Sequence, residues 1–359
     1  MKNCILLFLL ITTTSLFGQN NDTWTAFWNS DTTLVGYKDK NGVVKIEPKF
    51  IPLTLARKFE NIIAVMDEYA SYYLTKAGKI VGRDSLYVFD NTPDCESEGF
   101  ICFRDRKTDK AGMFNKDGNI VIPAEYNDLT RVSNGMVIAL KGAKKEYLDK
   151  YQEHWRWIGG QEMLIDTLNN ILIDSFPYTI DLNFFSIEKT KTPHLDTIRD
   201  YFLAKDGNYL SFINFEKEFK RWLFDSLLTN LTKEKLINAS YNTITCWSNE
   251  GWTKTNSEDF VNNNFETLNE ELLRILNSDC SIGNSILGLN PYIYKEAEFE
   301  KYFNNCGDSK NSIYPLMEIV VYYSKENKYF TRYQDNYDFL RTDNGYKLIS
   351  ATIRNNEIK

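Results

Sequence analysis

Reactive side chains are few in this chain, and their settings narrow the chemistry open to it. Two histidines are present, His154 in "QEHWRWIGG" and His194 in "TPHLD". A Cys and His pair would supply a nucleophile and its base. Cys246 in "TITCWS", however, sits in an apolar, strand-like run where a small buried thiol is the commoner occupant. "GNSILG" around Ser285 falls short of the GxSxG nucleophile elbow and reads as a loop serine. Glu270 and Glu271 in "NEELL" hold adjacent helical positions that point apart, and Glu296, Glu298 and Glu300 read the same way, as a solvated acidic face. With no HExxH, EF-hand loop, P-loop or strand-following GxGxxG, no catalytic residue, metal or cofactor is expected.

Binding chemistry is better represented. Trp24, Trp28, Trp155 and Trp157 stand among many tyrosines, and such rings dominate carbohydrate stacking and protein hot spots alike. If "HWRWIGG" is a strand, Trp155 and Trp157 share one face and Arg156 takes the other, a candidate binding stripe; packing between repeats is the alternative use. Tyr323, Tyr333 and Asp338, on the last expected strands, are the candidates should the C-terminal half enclose a pocket.

The compartment follows from the N-terminus. "MKNCILLFLLITTTSLFGQNND" places one lysine, an apolar run, small and polar residues and then Gly18-Gln19 in the order of a secretory signal peptide, expected over 1–19. The run is too short to cross a bilayer, which takes about 20 apolar residues. Cys4 lies at the wrong end of it for lipid attachment. An exported chain is expected, in the periplasm, at the cell surface or secreted, with no transmembrane helix once mature. Cys95, Cys102, Cys246, Cys280 and Cys306 then remain. Cys95 with Cys102, and Cys280 with Cys306, could each close a loop and leave Cys246 buried; five packed thiols without a bridge is the other arrangement. No CxxC pair exists to hold zinc. A net charge of −7, spread along the chain, argues against nucleic acid as a partner.

At 359 residues about two domains are expected. The first repeats itself. "VGYKDKNGVVKIEPKF" from Val35 and "AGMFNKDGNIVIPAEY" from Ala111 share a Gly and an aromatic or Met, a short strand, a turn closing on Gly, and alternating β-branched residues followed by Pro and an aromatic. Asn41-Gly42 and Asp117-Gly118 predict two-residue type I′ hairpins, which need positive φ at both central positions. Weaker copies turn at Gly78, Asn169 and Gly207, so turn positions are spaced by 36, 40, 51 and 38 residues. "FENIIAVM", "SEGFICF" and "VSNGMVIAL" each add a further strand between hairpins. A period near 40 marks units that cannot bury their own apolar face and must stack.

This pattern resembles the WG repeat (WG-containing β-repeat), common in bacterial secreted and envelope proteins. Gly36, Tyr37, Asp39, Gly42, Ile46, Pro48 and Phe50 match its consensus, as do Gly112, Asn115, Gly118, Ile122 and Tyr126, with Pro123 one place early. Val35 and Ala111 replace the Trp. The resemblance implies a binding or scaffold role, and the family has no shared catalytic residues. An antiparallel β-hairpin repeat domain, either propeller-like or an open array, is expected over 20–214.

From residue 215 the period changes. "FEKEFKRWLFDSLLTNL" carries an apolar stripe at helical spacing, Thr232 can cap "TKEKLINA", and "NSEDFVNNNF" and "LNEELLRILNS" give two more helical pieces. "IYPLMEIVVYYS", "KYFTRYQDNYDFLRT" and "GYKLISATIR" predict a closing antiparallel meander. An α+β domain is expected over 215–359, and its order is similar to the cone-shaped NTF2-like or cystatin-like domains. The function expected is binding or scaffolding of a protein, glycan or other polymer through the repeat surface, without enzymatic activity. A small-ligand site or hydrolase in the C-terminal cone is the alternative.

Overall fold

A computed structural model describes residues 22–89, 91–151, 154–248, 251–276, 280–324 and 332–352. The expected signal peptide lies outside them. The repeat half contains five antiparallel units, each built on three strands. Repeat 1 spans Trp24–Trp28, Val35–Lys38 and Val44–Phe50; repeat 2, Ile62–Met66, Ser71–Thr75 and Ile80–Val81; repeat 3, Phe100–Asp105, Lys110–Asn115 and Ile120–Tyr126. Repeat 4 uses Met136–Lys141, Gln161–Asp166 and Ile171–Ile173, and repeat 5 uses Leu182–Thr190, Arg199–Leu203 and Tyr209–Asn214.

The five turns are built alike, and not as type I′. In repeat 1 the Asp39 N–H donates to Val43 O at 2.9 Å and the Gly42 N–H to Asp39 O at 3.0 Å, enclosing three residues. The same pair of bonds recurs at Thr75, Asn115, Asp166 and Ala204. Only the third loop residue is left-handed: Gly42, Gly78, Gly118, Asn169 and Gly207 have φ between 66° and 84°. These are three-residue hairpins, a type I turn followed by a left-handed residue. In three of the loops the first residue's side chain favours this turn. Asp39 Oδ1 accepts from the N–H groups of Asn41 and Val43, and Asn115 Oδ1 and Asp166 Oδ1 do the same in their loops. Type I′ turns do occur, where the chain leads into a unit: Glu98-Gly99 and Asn134-Gly135 have positive φ at both positions and close reciprocal bonds, Ser97 to Phe100 and Ser133 to Met136.

Strand side chains alternate, and both faces of the inner units are buried. In repeat 2, Ile63, Val65, Tyr72 and Leu74 pack on Val35, Tyr37 and Phe50 of repeat 1, while Ile62, Ala64 and Tyr73 pack on Ile101, Phe103 and Phe114 of repeat 3. In repeat 4, Val137, Ala139, Met163 and Ile165 face repeat 3, and Met136, Ile138 and Leu164 face repeat 5. Burying each large apolar side chain contributes about 1.5–3 kcal/mol, which a lone hairpin cannot collect. Repeat 5 ends in a polar layer: buried Arg199 donates through Nε to Ser211 Oγ at 3.0 Å.

Helix α1 (Phe215–Trp222) follows repeat 5 directly, capped by Asn214, and continues through a π-type turn at Leu223–Leu227. Helix α2 (Lys233–Asn238) is capped by Thr232 as expected. The two pieces expected over 256–278 are one helix, α3 (Ser257–Arg274), with Asn256 accepting from the N–H groups of Glu258 and Asp259. The polar stretch between them stays helical because Phe260, Val261, Leu268 and Leu272 form one buried face. A six-stranded sheet runs in the order Gly251–Asn256, Ser240–Ser248, Gly345–Thr352, Arg332–Thr342, Leu316–Ser324, Cys280–Asn284. Its last three strands in sequence form the expected antiparallel meander, and Ser240–Ser248 pairs in parallel with Gly345–Thr352.

Cysteine pairing differs from the expectation. Cys95 is bonded to Cys306, 211 residues away, and neither Cys95–Cys102 nor Cys280–Cys306 forms. Cys102 points into the core between repeats 3 and 4, with Sγ 3.8 Å from Thr130 O. Cys280 Sγ lies 3.8 Å from Ile275 O, in the C-terminal core. Cys95 lies in the lead-in to repeat 3, on the flank where the segment around Asn304–Asp308 docks. Proximity in space therefore overrides proximity in sequence.

Candidate functional site

The 51-residue spacing before Asn169 has a structural cause: repeat 4 carries an inserted hairpin, Lys144–Tyr147 paired with Trp155–Ile158. Its register sets Lys145 opposite Trp157, Glu146 opposite Arg156 and Tyr147 opposite Trp155. One face therefore presents Lys145, Tyr147, Trp155 and Trp157, and the other Glu146 and Arg156, joined by an ion pair of 2.6 Å. Trp155 and Trp157 meet edge to face with centroids 4.8 Å apart. The Lys145 ammonium lies 4.2 Å from the Trp155 ring centroid and 2.6 Å from Asp109 Oδ2. The three residues singled out from sequence are thus arranged as expected, with Trp155 38% exposed at the surface and Trp157 partly covered. Exposed Tyr147, Leu148 and Tyr151 extend the apolar surface.

Asp128 fastens this hairpin to the stack. It accepts a 3.2 Å bond from Trp157 Nε1 and a short one from the Tyr87 hydroxyl, and Arg104 Nη2 is 3.6 Å away. Tyr87 belongs in turn to a cleft of about 280 Å3 lined by Tyr87, Phe89, Thr92, Asp94, Arg131 and Asp308. Arg131 spans the two halves of the molecule, Nε to Asp94 Oδ1 at 2.8 Å and Nη1 to Asp308 Oδ2 at 2.9 Å. Asp94 also accepts the Cys102 N–H, at 2.9 Å. Neither Asp128 nor Arg131 stood out in sequence; aspartates following an aromatic strand are too common to carry a signal.

The C-terminal candidates do not converge. Tyr323 and Tyr333 are paired across neighbouring strands, and their side chains lie outside the described residues. Asp338 lies in register with Glu318 on one side and Ser350 on the other. Burial first, and then the Glu318 charge, push its carboxyl up to about 7, against a Ser350 hydrogen bond that lowers it. The space between sheet and helices is filled by Phe215, Phe219, Phe260, Tyr337, Phe339 and Tyr346. The opposite sheet face is partly covered by Leu289, Tyr294, Phe299 and Tyr302 of the 285–315 segment.

The remaining reactive residues have local partners. Cys246 Sγ is 3.0 Å from Thr253 Oγ1. His154 is exposed, with Nδ1 3.1 Å from Asp149 Oδ2, and His194 is exposed in the loop before repeat 5's second strand. Ser285 is buried in a loop, its N–H bonded to Leu316 O. Glu270 pairs with Arg274, Glu296 with Lys254 and Glu300 with Lys58. Glu271, expected on a solvated face, is instead fully buried, 3.1 Å from Arg274 Nη1. Among the described residues no group of three or more His, Cys, Asp or Glu could hold a metal ion, and no helix is long and apolar enough to cross a membrane.

Residues 112–144 match the WG containing repeat family. The match begins in the second strand of repeat 3 and ends where the inserted hairpin starts, so it spans one hairpin and the lead-in strand of the next unit. No curated protein and no solved structure matches the chain.

Proposed function

We propose that this chain is an exported binding protein of the bacterial envelope or secreted type. In this reading its stacked WG-type repeats hold the Lys144–Ile158 hairpin as a recognition surface for a protein or polymer partner. The observation that carries the reading is the hairpin itself. It interrupts an otherwise regular unit, adds no strand to the sheet of repeat 4, and sets Trp155 and Tyr147 at the surface on a base fixed through Trp157 and Asp128. Rigid, partly exposed aromatic side chains lose little entropy on binding and are the usual anchors of interfaces. The Cys95–Cys306 bond supports export, since such bonds persist in oxidising compartments. Three helices packed on a sheet that closes in a meander support a cone-shaped C-terminal domain of NTF2-like or cystatin-like type, although the Ser240–Asn256 strand pair interrupts the helices; its filled interior favours a bracing role over a pocket.

The test is crosslinking capture from the native envelope with the full mature chain, comparing wild type with a Tyr147→Ala/Trp155→Ala variant. A specific partner retained by the wild type and lost from the variant is the expected result. Equal retention by both would place recognition elsewhere on the molecule.

A further inference from the structure

The cleft between repeat 3 and the C-terminal segment is chemically distinct from the aromatic hairpin. Its walls are the ring of Tyr87, covered by Arg104 on one face with the guanidinium carbon 5.0 Å from the centroid, and the ring of Phe89, 77% exposed. Its polar groups are Asp94, Arg131 and Asp308. Both Asp94 oxygens are engaged, by Arg131 Nε and the Cys102 N–H. Asp308 Oδ2 is engaged by Arg131 and Asn304. Among the described residues this leaves Arg131 Nη2 as a donor and Asp308 Oδ1 as an acceptor on adjoining groups of one ion pair. Phe89 belongs to none of the hydrophobic clusters formed by the described residues.

We infer that this cleft is a binding site for one ring of a neutral saccharide, stacked on Phe89 and Tyr87 with a pair of hydroxyls bridging Arg131 and Asp308. A hydroxyl both donates and accepts, so a vicinal pair matches a donor beside an acceptor. An anionic ligand meets a net charge of −1 from two carboxylates and one guanidinium. An ammonium has donors only, so it cannot accept from Arg131 Nη2 and would face the guanidinium. The volume of about 280 Å3 is just below the ~300–1,000 Å3 of pockets for drug-sized ligands, which suits a single ring of a longer chain. The site goes beyond the partner surface proposed above and does not depend on it. Asp94 and Asp308 come from opposite halves of the molecule, one next to Cys95 and the other two residues past Cys306, so the disulfide sets the width of the cleft.

The experiment is saturation-transfer NMR and calorimetry on the full, disulfide-bonded mature chain with cellobiose, maltose and N,N′-diacetylchitobiose. A galacturonate dimer and lysine methyl ester serve as charged controls. At about 10 mM even a site with a Kd of ~1 mM fills, so at least one neutral disaccharide is expected to bind. Phe89→Ala, which removes an exposed ring and no core packing, and Arg131→Lys, which keeps the charge but loses the guanidinium fork, are each expected to weaken it about tenfold. Tyr147→Ala is expected to leave it unchanged, which separates this site from the hairpin surface. Three results overturn the inference: no neutral saccharide binds, binding is equal in wild type and in both cleft variants, or a charged control binds as well as the neutral sugars.

Discussion

Turn glycines show how one residue type carries different loads at equivalent positions. Gly42 and Gly118 both have positive φ, 82° and 68°, which an L side chain adopts at a cost of about 1–2 kcal/mol. A Cβ on Gly42 would meet nothing within 4 Å, whereas one on Gly118 would come to 3.1 Å from both Thr75 Cγ2 and Val81 Cγ1 of repeat 2. Gly42→Ala is therefore expected to cost about 1 kcal/mol and Gly118→Ala about 2–3 kcal/mol, compared by urea denaturation of the two variants. Asp338 makes a second residue-scale prediction. Burial and the Glu318 charge push its folded-state pKa up to about 7, above the ordinary aspartate range, so the native state holds the proton more tightly. Its contribution is complete below pH ~4 and is lost as pH rises to ~7. Asp338→Asn should leave thermal stability unchanged at pH 4 and raise it at pH 8. The gain, discounted for partial exposure, is on the order of 2 kcal/mol. An unchanged pH profile in the variant would show that Asp338 ionises normally.

Elements differ in what they owe to the stack. The inserted hairpin lies between Lys141 and Gln161, a register pair of repeat 4, and is flanked by Gly142 and Gly160 with φ of 79° and 84°. Deleting residues 143–159 would join those glycines as a Gly-Gly turn of the kind two-residue hairpins favour. The shortened chain is expected to fold with the same far-UV spectrum. Its cost is the pair of bonds between the Asn127 side chain and the Ala143 backbone, both 2.9 Å, and leaving buried Asn127 unpaired costs about 1–3 kcal/mol. A fall in Tm of a few degrees with loss of partner retention is the expected pair of outcomes. Collapse of the fold would mean that the hairpin is structural. The long helix α3 teaches the complementary lesson: a polar stretch reads as a break until the buried face on either side is seen to be continuous.

Across the whole molecule, the C-terminal half meets the repeat stack at separated places. Asn305 O accepts from the Arg57 and Lys58 N–H groups at 2.7 and 3.0 Å, Cys306 bonds Cys95, and Asp308 pairs with Arg131. Farther along the chain, Asn284 Nδ2 donates to Ile180 O at 3.0 Å, and the Phe215 N–H to Asp181 O at 2.7 Å. The C-terminal half thus braces the stack near its first three repeats and again at its last. The disulfide closes a loop of 211 residues, and its removal by a Cys95→Ala/Cys306→Ala double substitution should cost about 2–4 kcal/mol. Hydrogen exchange should accelerate in residues 285–315 well before the repeat strands. Uniform acceleration through both halves would show instead that they unfold as one unit.

What the sequence determined by itself was whatever is repeated or periodic: five turn positions, the strands before the copies that turn at Gly78, Gly118 and Asn169, the switch from hairpins to helix at residue 215, and the shared face of Trp155 and Trp157. These follow from side-chain alternation and from φ requirements that act over a few residues. What only the tertiary structure decided were contacts between distant segments. The turn type depended on how the loop's backbone N–H groups would be satisfied, by Asp39, Asn115 or Asp166 at the first position or by Asp206 inside the loop that starts at Ala204, a competition that a two-residue signal does not contain. The partner of Cys95 and the meeting of Asp94, Arg131 and Asp308 depended on which flank of the stack the C-terminal segment covers. Such pairings cost little loop entropy per added residue, so many are open to a chain of this length, and packing selects among them.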